Sequence, residues 1–425
     1  MLDIKHFRDE PEFIKERLRT RGGDHHLLVD QVLSYDETRR KAETEKQQLQ
    51  SERKSLSKEI GALMSQGKGE EAEAIKEKVR VLGDQIAELE ETSSKADEQQ
   101  TDLLLSIPNL PHAECPVGDD EEANPVIREW GDKPKINEPQ DHVQLTEKLG
   151  IISFEDAARI SGSGFAVYRG KGAKLQRALI QFLLDLQTEK NGYQEVNVPH
   201  LINRDCMYGT GQLPKFEDDM YGLNEGQTFL APTAEVPVTN LYRETLLSEE
   251  ELPIKLTAHT PCFRREAGSA GRDNKGIIRM HQFDKIELVQ LTTPTESAKT
   301  LEELTAHAES ALQALGLHYR VIELCTGDLG FSSTKTYDIE VWAPGQGKYL
   351  EVSSCSSFSN YQARRMRLRY KDADGKNNFC HTLNGSGTAL PRLMVALLEQ
   401  YQKPDGSIAL PKALHDYFGS ETIEG

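Results

Sequence analysis

The chain has 425 residues, room for two or three domains. Hydrophobic residues make up only 37%, and 69 acidic against 51 basic residues leave a net charge of −18. That balance argues against a general nucleic-acid coat or membrane-surface binder, but leaves room for a local basic face. No apolar run reaches the roughly 18 residues of a membrane-spanning helix. The opening Met1–Glu10 lacks an apolar core and has acids too early for a targeting peptide. The cysteines, Cys115, Cys206, Cys262, Cys325, Cys355 and Cys380, form no Cys-x-x-Cys pair. Reduced thiols in a cytoplasmic protein are expected, rather than a disulfide framework or zinc site.

Residues 27–105 contain no Pro, Trp or Cys. Leu28, Tyr35, Ala42, Leu49, Leu56 and Leu63 step by seven, and Ile75, Leu82, Leu89, Ala96 and Leu103 repeat the step after Gln66-Gly67-Lys68-Gly69. Val79 and Ile86 follow the first two of that second series by four. A seven-residue repeat gives each helix one apolar stripe, and the glycines permit a reversal, so the spacing predicts an antiparallel helical hairpin. Each helix would be about 50 Å long at 1.5 Å per residue, a projecting arm. Between Arg39 and Lys58 the first helix carries seven basic residues against three acidic ones. Such an excess fits a phosphate backbone, or simply a solvated face of a structural coiled coil. Pro108 and Pro111 end the helical region, and Asp119–Pro125 reads as linker.

The remainder is mixed. Leu175, Ala178, Leu179, Phe182, Leu183 and Leu186 form a helical stripe closed by Asn191-Gly192. Strands are predicted over 193–199, 255–266, 277–291, 318–325, 336–342 and 348–354, with helices over 295–315 and 388–402. Strands following one another without helices favour an antiparallel sheet flanked by helices, an α+β fold, over repeated βαβ units. Neither a phosphate loop nor a dinucleotide fingerprint is present.

The chemistry concentrates in Phe263-Arg264-Arg265-Glu266, a loop, and Ile277–Glu287. Alternation along a strand places Arg279, His281, Phe283, Lys285 and Glu287 on one face. Such a face is costly to bury without a ligand, although a solvated sheet edge would also carry it. Two arginines and a phenylalanine at this spacing suit a nucleotide: guanidinium groups pair with phosphates and the ring stacks on a base.

Phe-Arg-x-Glu, loop, Arg-x-His-Gln-Phe-x-Lys-x-Glu resembles motif 2 of the class II aminoacyl-tRNA synthetases, and more narrowly of the bacterial-type seryl-tRNA synthetases. The resemblance extends over essentially the whole chain. Gly192–Pro199 resembles motif 1, implying a homodimer interface around Pro199. Thr233-Ala234-Glu235 resembles the loop that receives the amino acid. Glu351-Val352-Ser353-Ser354 resembles the segment that meets ATP and Mg²⁺, and Asn384–Arg392 resembles motif 3, with Pro391 where some relatives have glycine. The implied organisation is a tRNA-binding domain over 1–107, with its arm at about 27–105, and a catalytic domain over 108–425.

The implied reaction joins L-serine and ATP as seryl-adenylate, then transfers the seryl group to tRNA(Ser), with tRNA(Sec) a further family substrate. By resemblance, Arg264 bridges the serine carboxylate and the α-phosphate. Phe283 and Arg392 sandwich adenine, Glu266 accepts from its amino group, and Arg279 neutralises the outer phosphates. Glu351 and Ser354 hold Mg²⁺; Val352 and Ser353 belong to the same ATP segment, and Arg265 to the ATP side without an individual role. Glu287 meets the serine ammonium and hydroxyl, Thr233 the ammonium, and Ser386 the side-chain end, with Ala234 and Glu235 in the same loop. On the arm, Arg39, Lys46 and Arg53 are the expected tRNA contacts. Two other readings share these residues: a ligase that charges a carrier protein, which would be expected to lack the arm, and a non-catalytic tRNA-binding homologue.

Overall fold

The computed structural model describes residues 1–267 and 275–425. Its contacts divide the chain into one unit of Leu2–Pro108 and a second built from Asn109–Gly425 together with Met1.

In the first unit, two short helices, Ile4–Asp9 and Pro11–Arg19, precede the long pair α1 (Leu28–Ser65) and α2 (Gly69–Ser106). The reversal falls at Gln66–Lys68, where Gly67 takes a left-handed φ of 75° without a Cβ penalty. The seven-residue positions are at least half-buried along both helices. A second line of α1 lies four residues after the first: Val32, Arg39, Lys46, Arg53 and Ile60. It therefore also turns toward α2, and all three predicted tRNA contacts lie on it. Arg39 is 3.1 Å from Asp36 and 3.6 Å from Asp97. Lys46 is 2.8 Å from Glu43. Arg53 lies over Gly83, where an added Cβ would come within 3.8 Å of the guanidinium carbon. Arg39 and Lys46 thus serve the hairpin's own ion pairs, while Arg40, Lys41, Lys54 and Lys58 are exposed.

Asp36 is buried at the base of the hairpin and takes a two-pronged contact from Arg8, at 2.6 and 2.7 Å. Burial alone would raise its carboxyl, but hydrogen bonds from Arg8, Arg39 and Gln100 outweigh that and hold it below the usual range.

The second unit is organised by an eight-stranded sheet. Its elements in chain order are β1 (Val126–Trp130), α3 (His142–Leu149), α4 (Lys171–Asp185), β2 (Gln194–Glu195), β3 (Ile254–Phe263), β4 (Gln282–Thr292), α5 (Ser297–Ala314), β5 (Tyr319–Glu323), β6 (Lys335–Ala343), β7 (Lys348–Ser357), α6 (Tyr361–Met366), β8 (His381–Ala389) and α7 (Leu390–Gln400). The strand order is β1-β5-β6-β7-β8-β4-β3-β2, and only the β2–β3 pair is parallel. Alternation along β4 sorts its side chains. Ile286 and Leu288 join the core with α4, α5 and α7. Val289 and Leu291 pack on the opposite side, with Leu256, Ala258, Ala363 and Met366. Lys285 and Glu287 share that second face, and the site lies over them. Gly385 in β8 permits the close approach of α5, since a Cβ there would lie 2.5 Å from Leu304 and 2.9 Å from the Cys355 thiol.

Two predicted strands are shorter than expected. The stretch 193–199 pairs only at Gln194–Glu195. Residues 277–281 form a turn and bend before β4 begins at Gln282. Gly276 adopts a φ of 64°, and the His281 N–H turns to Gly164 rather than to a strand neighbour. No described helix is long and apolar enough to cross a membrane. All six cysteines are free thiols.

Asp36→Ala leaves Arg8 and Arg39 without their buried acceptor. It is expected to cost the hairpin unit about 2 kcal/mol, below the roughly 3–5 kcal/mol for breaking a fully buried pair because both arginines are partly exposed. Thermal melting followed by helical circular dichroism checks this. The wild-type advantage should be present above the ordinary carboxyl range and shrink as pH falls below it, because the paired carboxyl is depressed. An unchanged melting temperature would contradict the assignment.

Candidate active site

One cavity of about 740 Å³ opens over β4, β7 and β8. Most of the sequence-predicted residues line it: Thr233, Glu235, Arg264, Glu266, Arg279, Phe283, Glu287, Glu351, Val352, Ser354, Ser386 and Arg392. Three do not. Ala234 is fully buried in the second core. Ser353 points into the sheet and donates to the Ser386 carbonyl at 2.5 Å. Arg265 is exposed on the rim, and its backbone N–H donates to the Asp219 carbonyl. Arg272, in the loop between the two halves of motif 2, lies outside the described residues.

The floor is an acidic pair offset by one lysine. Lys285 and Glu287 stand two residues apart on β4 and form a buried ion pair. A β-bulge between Ile286 and Glu287 shifts the register against β8, so that Glu287 sits opposite Ser386. The Thr233 hydroxyl donates to Glu287 at 2.8 Å. Glu235 is buried and accepts from the Gln362 side chain at 2.8 Å; Gln362 in turn accepts from the Thr382 hydroxyl at 2.7 Å. Burial first, and the charge of Glu287 second, push the Glu235 carboxyl up to about 7, although Gln362, Lys285 and Arg264 work the other way. The arrangement is a small pocket rich in acceptors, suited to an ammonium and a hydroxyl group.

Beside it lies a cationic and aromatic side. The Arg264 guanidinium is 5.3 Å from the Phe283 ring centre, and its Nε donates to the Pro232 carbonyl at 3.2 Å. It therefore stands between the Thr233–Glu235 loop and the ring. Arg279 and Glu266 are paired with one another at 2.5 Å. Arg392 donates to the Glu351 carbonyl at 2.9 Å and lies 3.3 Å from its carboxylate, while its Nε reaches the Ile278 carbonyl at 3.2 Å.

Glu351 and Ser354 face the cavity from β7. Behind them, the Asp338 carboxyl is pushed well above its usual range, by burial first and then by the charge of Glu351. Its Oδ1 has no hydrogen-bond partner. The unpartnered Asp338 oxygen behind the Glu351 carboxylate and Ser354 hydroxyl makes this end of the cavity rich in oxygen acceptors, which fits a divalent cation. Among the described residues no group of three or more His, Cys, Asp or Glu side chains could hold a metal alone. The donor set of one carboxylate and one hydroxyl suits a hard cation that keeps other oxygens as ligands.

Several lining residues were not predicted from sequence: Gly211, Gln212 and Phe216 from one loop, Phe331 and Ser332 from another, and Phe358. The first loop is tied to the site by the Asp219 carboxylate, which accepts from the Ala267 N–H at 3.1 Å. These segments carry no periodic pattern, and Gly211, Pro214 and Gly330 are the loop signals within or beside them.

A β-sheet with these motifs at its centre is the architecture of the class II synthetases: residues 215–401 match the model of the class II tRNA synthetase core domain (G, H, P, S and T), and residues 1–111 match the seryl-tRNA synthetase N-terminal domain. A serine–tRNA ligase of Akkermansia muciniphila is 68% identical over 100% of this chain and 99% of its own length. One of Methylacidiphilum infernorum is 47% identical, with 100% of both chains covered. Among solved structures, the seryl-tRNA synthetase of Pyrococcus horikoshii complexed with ATP superposes with a TM-score of 0.94 at 37% identity, covering 100% of this chain and 99% of that one. The cytoplasmic serine–tRNA ligase of Naegleria fowleri in complex with AMP gives 0.89 at 30% identity, with 100% and 99% covered. The chain belongs to the serine–tRNA ligase family, ATP-dependent aminoacyl-tRNA ligases of class II.

The raised Glu235 carboxyl has a testable sign. It moves from an ordinary 4.5 to about 7, so the native state holds this proton more tightly than the unfolded chain. Its contribution to stability is therefore largest at low pH and is lost as pH rises through about 7. Glu235→Gln removes the buried charge while keeping the volume. Its melting temperature should exceed that of the wild type at pH 8, with the gap narrowing as pH falls from about 7 toward 4.5. A gap independent of pH would contradict the assignment.

Proposed function

We propose that this chain activates L-serine with ATP and transfers the seryl group to the 3′ end of tRNA(Ser). The observation that carries the reading is the place of Arg264, between the acceptor-rich pocket at Thr233–Glu287 and the Phe283 ring.

In the first step a serine carboxylate oxygen attacks the α-phosphorus of ATP, the bond to the β-phosphate oxygen breaks, and pyrophosphate leaves. Two anions must approach one another. Arg264 contacts both and offsets charge that develops in the transition state. Phe283 and Arg392 take the two faces of adenine. Glu266 and Arg279, which neutralise one another in the structure, exchange partners on binding: Glu266 turns to the adenine amino group and Arg279 to the outer phosphates. Glu351 and Ser354 would hold Mg²⁺, which would neutralise charge on the phosphates when bound. In the second step a ribose hydroxyl of the terminal tRNA adenosine attacks the seryl carbonyl, and AMP leaves.

Serine is selected by Glu287, with Thr233 and Ser386. Alanine would leave the buried carboxylate without its hydroxyl donor, a loss worth up to roughly 10⁴-fold. Threonine is excluded by pocket size.

Residues 1–107 act as the tRNA-binding domain and 108–425 as the catalytic one, in a cytoplasmic homodimer joined around Pro199. The basic excess of α1 supports phosphate contact, with Arg53 and the exposed Arg40, Lys54 and Lys58 as its donors; Arg39 and Lys46 hold the hairpin. The arm also speaks against a carrier-protein ligase.

Amino-acid-dependent charging of total tRNA tests the reading: serine alone should be attached, and adenylate formation without tRNA charging would overturn it. Arg264→Ala should abolish serine-dependent exchange of pyrophosphate into ATP, with a loss of at least about 10³-fold; retention of most of the rate would contradict the role. Removing residues 30–100 should spare that exchange and collapse charging. Survival of both activities would show that the arm is not the tRNA-binding element.

A further inference from the structure

At the edge of the nucleotide side, four segments meet on one buried pair. His142 opens α3 and Glu399 lies in the last turn of α7; neither side chain has any solvent exposure. The Glu399 carboxylate accepts from the His142 backbone N–H at 2.9 Å, the Gly345 N–H at 2.8 Å and the Gln346 side chain at 3.0 Å. The imidazole Nδ1 is 3.2 Å from that carboxylate, and Nε2 is 3.3 Å from the Ile277 backbone nitrogen. An ionised carboxylate only accepts and an N–H only donates. The partners therefore assign the proton to Nδ1 and leave Nε2 as the acceptor for Ile277.

The ring also sets the path of the chain. Gly276 passes so close that an added Cβ would lie 2.0 Å from Nε2. Asp141, which caps α3, pairs with Lys275. Next along the chain, Ile277, Ile278 and Arg279 line the cavity, and the Ile278 carbonyl receives Arg392 from the first turn of α7. The strip is thus held at one end by His142 and at the other by the helix whose last turn holds His142's partner.

We propose that His142 and Glu399 form a positioning pair for the nucleotide. They fix the Ile277–Arg279 wall against the ATP side and tie it to α7, which carries Arg392. The inference rests on the serine–tRNA ligase reading above. It separates the two small substrates, because the serine pocket is built on β4, β8 and the Thr233 loop, and the pair's hydrogen bonds run instead to Ile277, Gly345 and Gln346. Loss of the Ile277 acceptor should therefore weaken ATP and leave serine alone, whereas a purely structural pair would affect both or neither.

Two substitutions divide the imidazole's contacts. His142→Asn can keep a donor near the Nδ1 position for Glu399 but has no atom at Nε2. His142→Gln can place an acceptor near Nε2 for Ile277. In serine-dependent pyrophosphate exchange, H142N should raise KM for ATP about tenfold, the scale of one buried N–H left unsatisfied, with KM for serine within twofold. H142Q should recover most of the loss. An equal rise in both KM values, or an unchanged KM for ATP in folded H142N, would overturn the proposal. Should H142N not fold, Glu399→Gln serves instead: a rise in KM confined to ATP supports the pair's role, and no such rise overturns it. Wild-type protein without serine-dependent exchange would strike the functional reading itself.

Discussion

Two carboxylates buried close together at the floor of a cavity constrain much of this structure. Glu235 and Glu287 repel one another in a setting where water offers little screening, and Lys285 is the cation beside them. The pocket exists because the surrounding elements each contribute a compensating group. β4 supplies the lysine and, through its bulge, aims Glu287 at Ser386. The loop before Glu235 supplies the Thr233 hydroxyl, and α6 supplies Gln362, itself held by Thr382 from β8. Such a concentration of acceptors is unfavourable when empty of donors. A ligand with an ammonium and a hydroxyl group relieves it, so the same repulsion that costs stability provides selectivity.

The cationic side follows the opposite logic. Arg264, Arg279 and Arg392 crowd toward one cavity, and their mutual repulsion is limited by Glu266, Glu351 and backbone carbonyls. These contacts are partly exposed, hence weak enough to be exchanged for phosphates and a base. The fully buried His142–Glu399 pair behind them is not of that kind. It has every hydrogen-bonding position filled and holds the wall on which the exchange takes place.

Features governed by local periodicity were legible in the sequence. The hairpin announced itself through its seven-residue step, and Phe283, Lys285 and Glu287 through alternation along β4, whereas the β7 and β8 residues were marked only by resemblance to family motifs. The α+β architecture followed from strands that succeed one another without crossover helices. What failed was set by distant parts of the chain. Residues 277–281 alternate like a strand, but Gly276 turns the backbone and His281 pairs with Gly164. The ion pairs of Arg39 and Lys46 within the hairpin were not anticipated either, although both residues sit four positions after apolar seam residues, in line with Val32 and Ile60. That phase was available in the sequence, where Val79 and Ile86 mark the corresponding line of the second helix. The loops at Gly211–Phe216 and Phe331–Ser332 had no comparable signal, because only tertiary packing brings them to the cavity.

The central claim is that a buried acceptor set chooses a small hydroxyl-bearing amino acid and activates it beside a nucleotide stack. Exchange of pyrophosphate into ATP by the full-length protein, measured in parallel with serine, alanine and threonine, tests it most directly. The account predicts exchange with serine, with kcat/KM for alanine lower by roughly 10⁴-fold and threonine excluded by size. Alanine or threonine supporting exchange at a rate comparable to serine would contradict it.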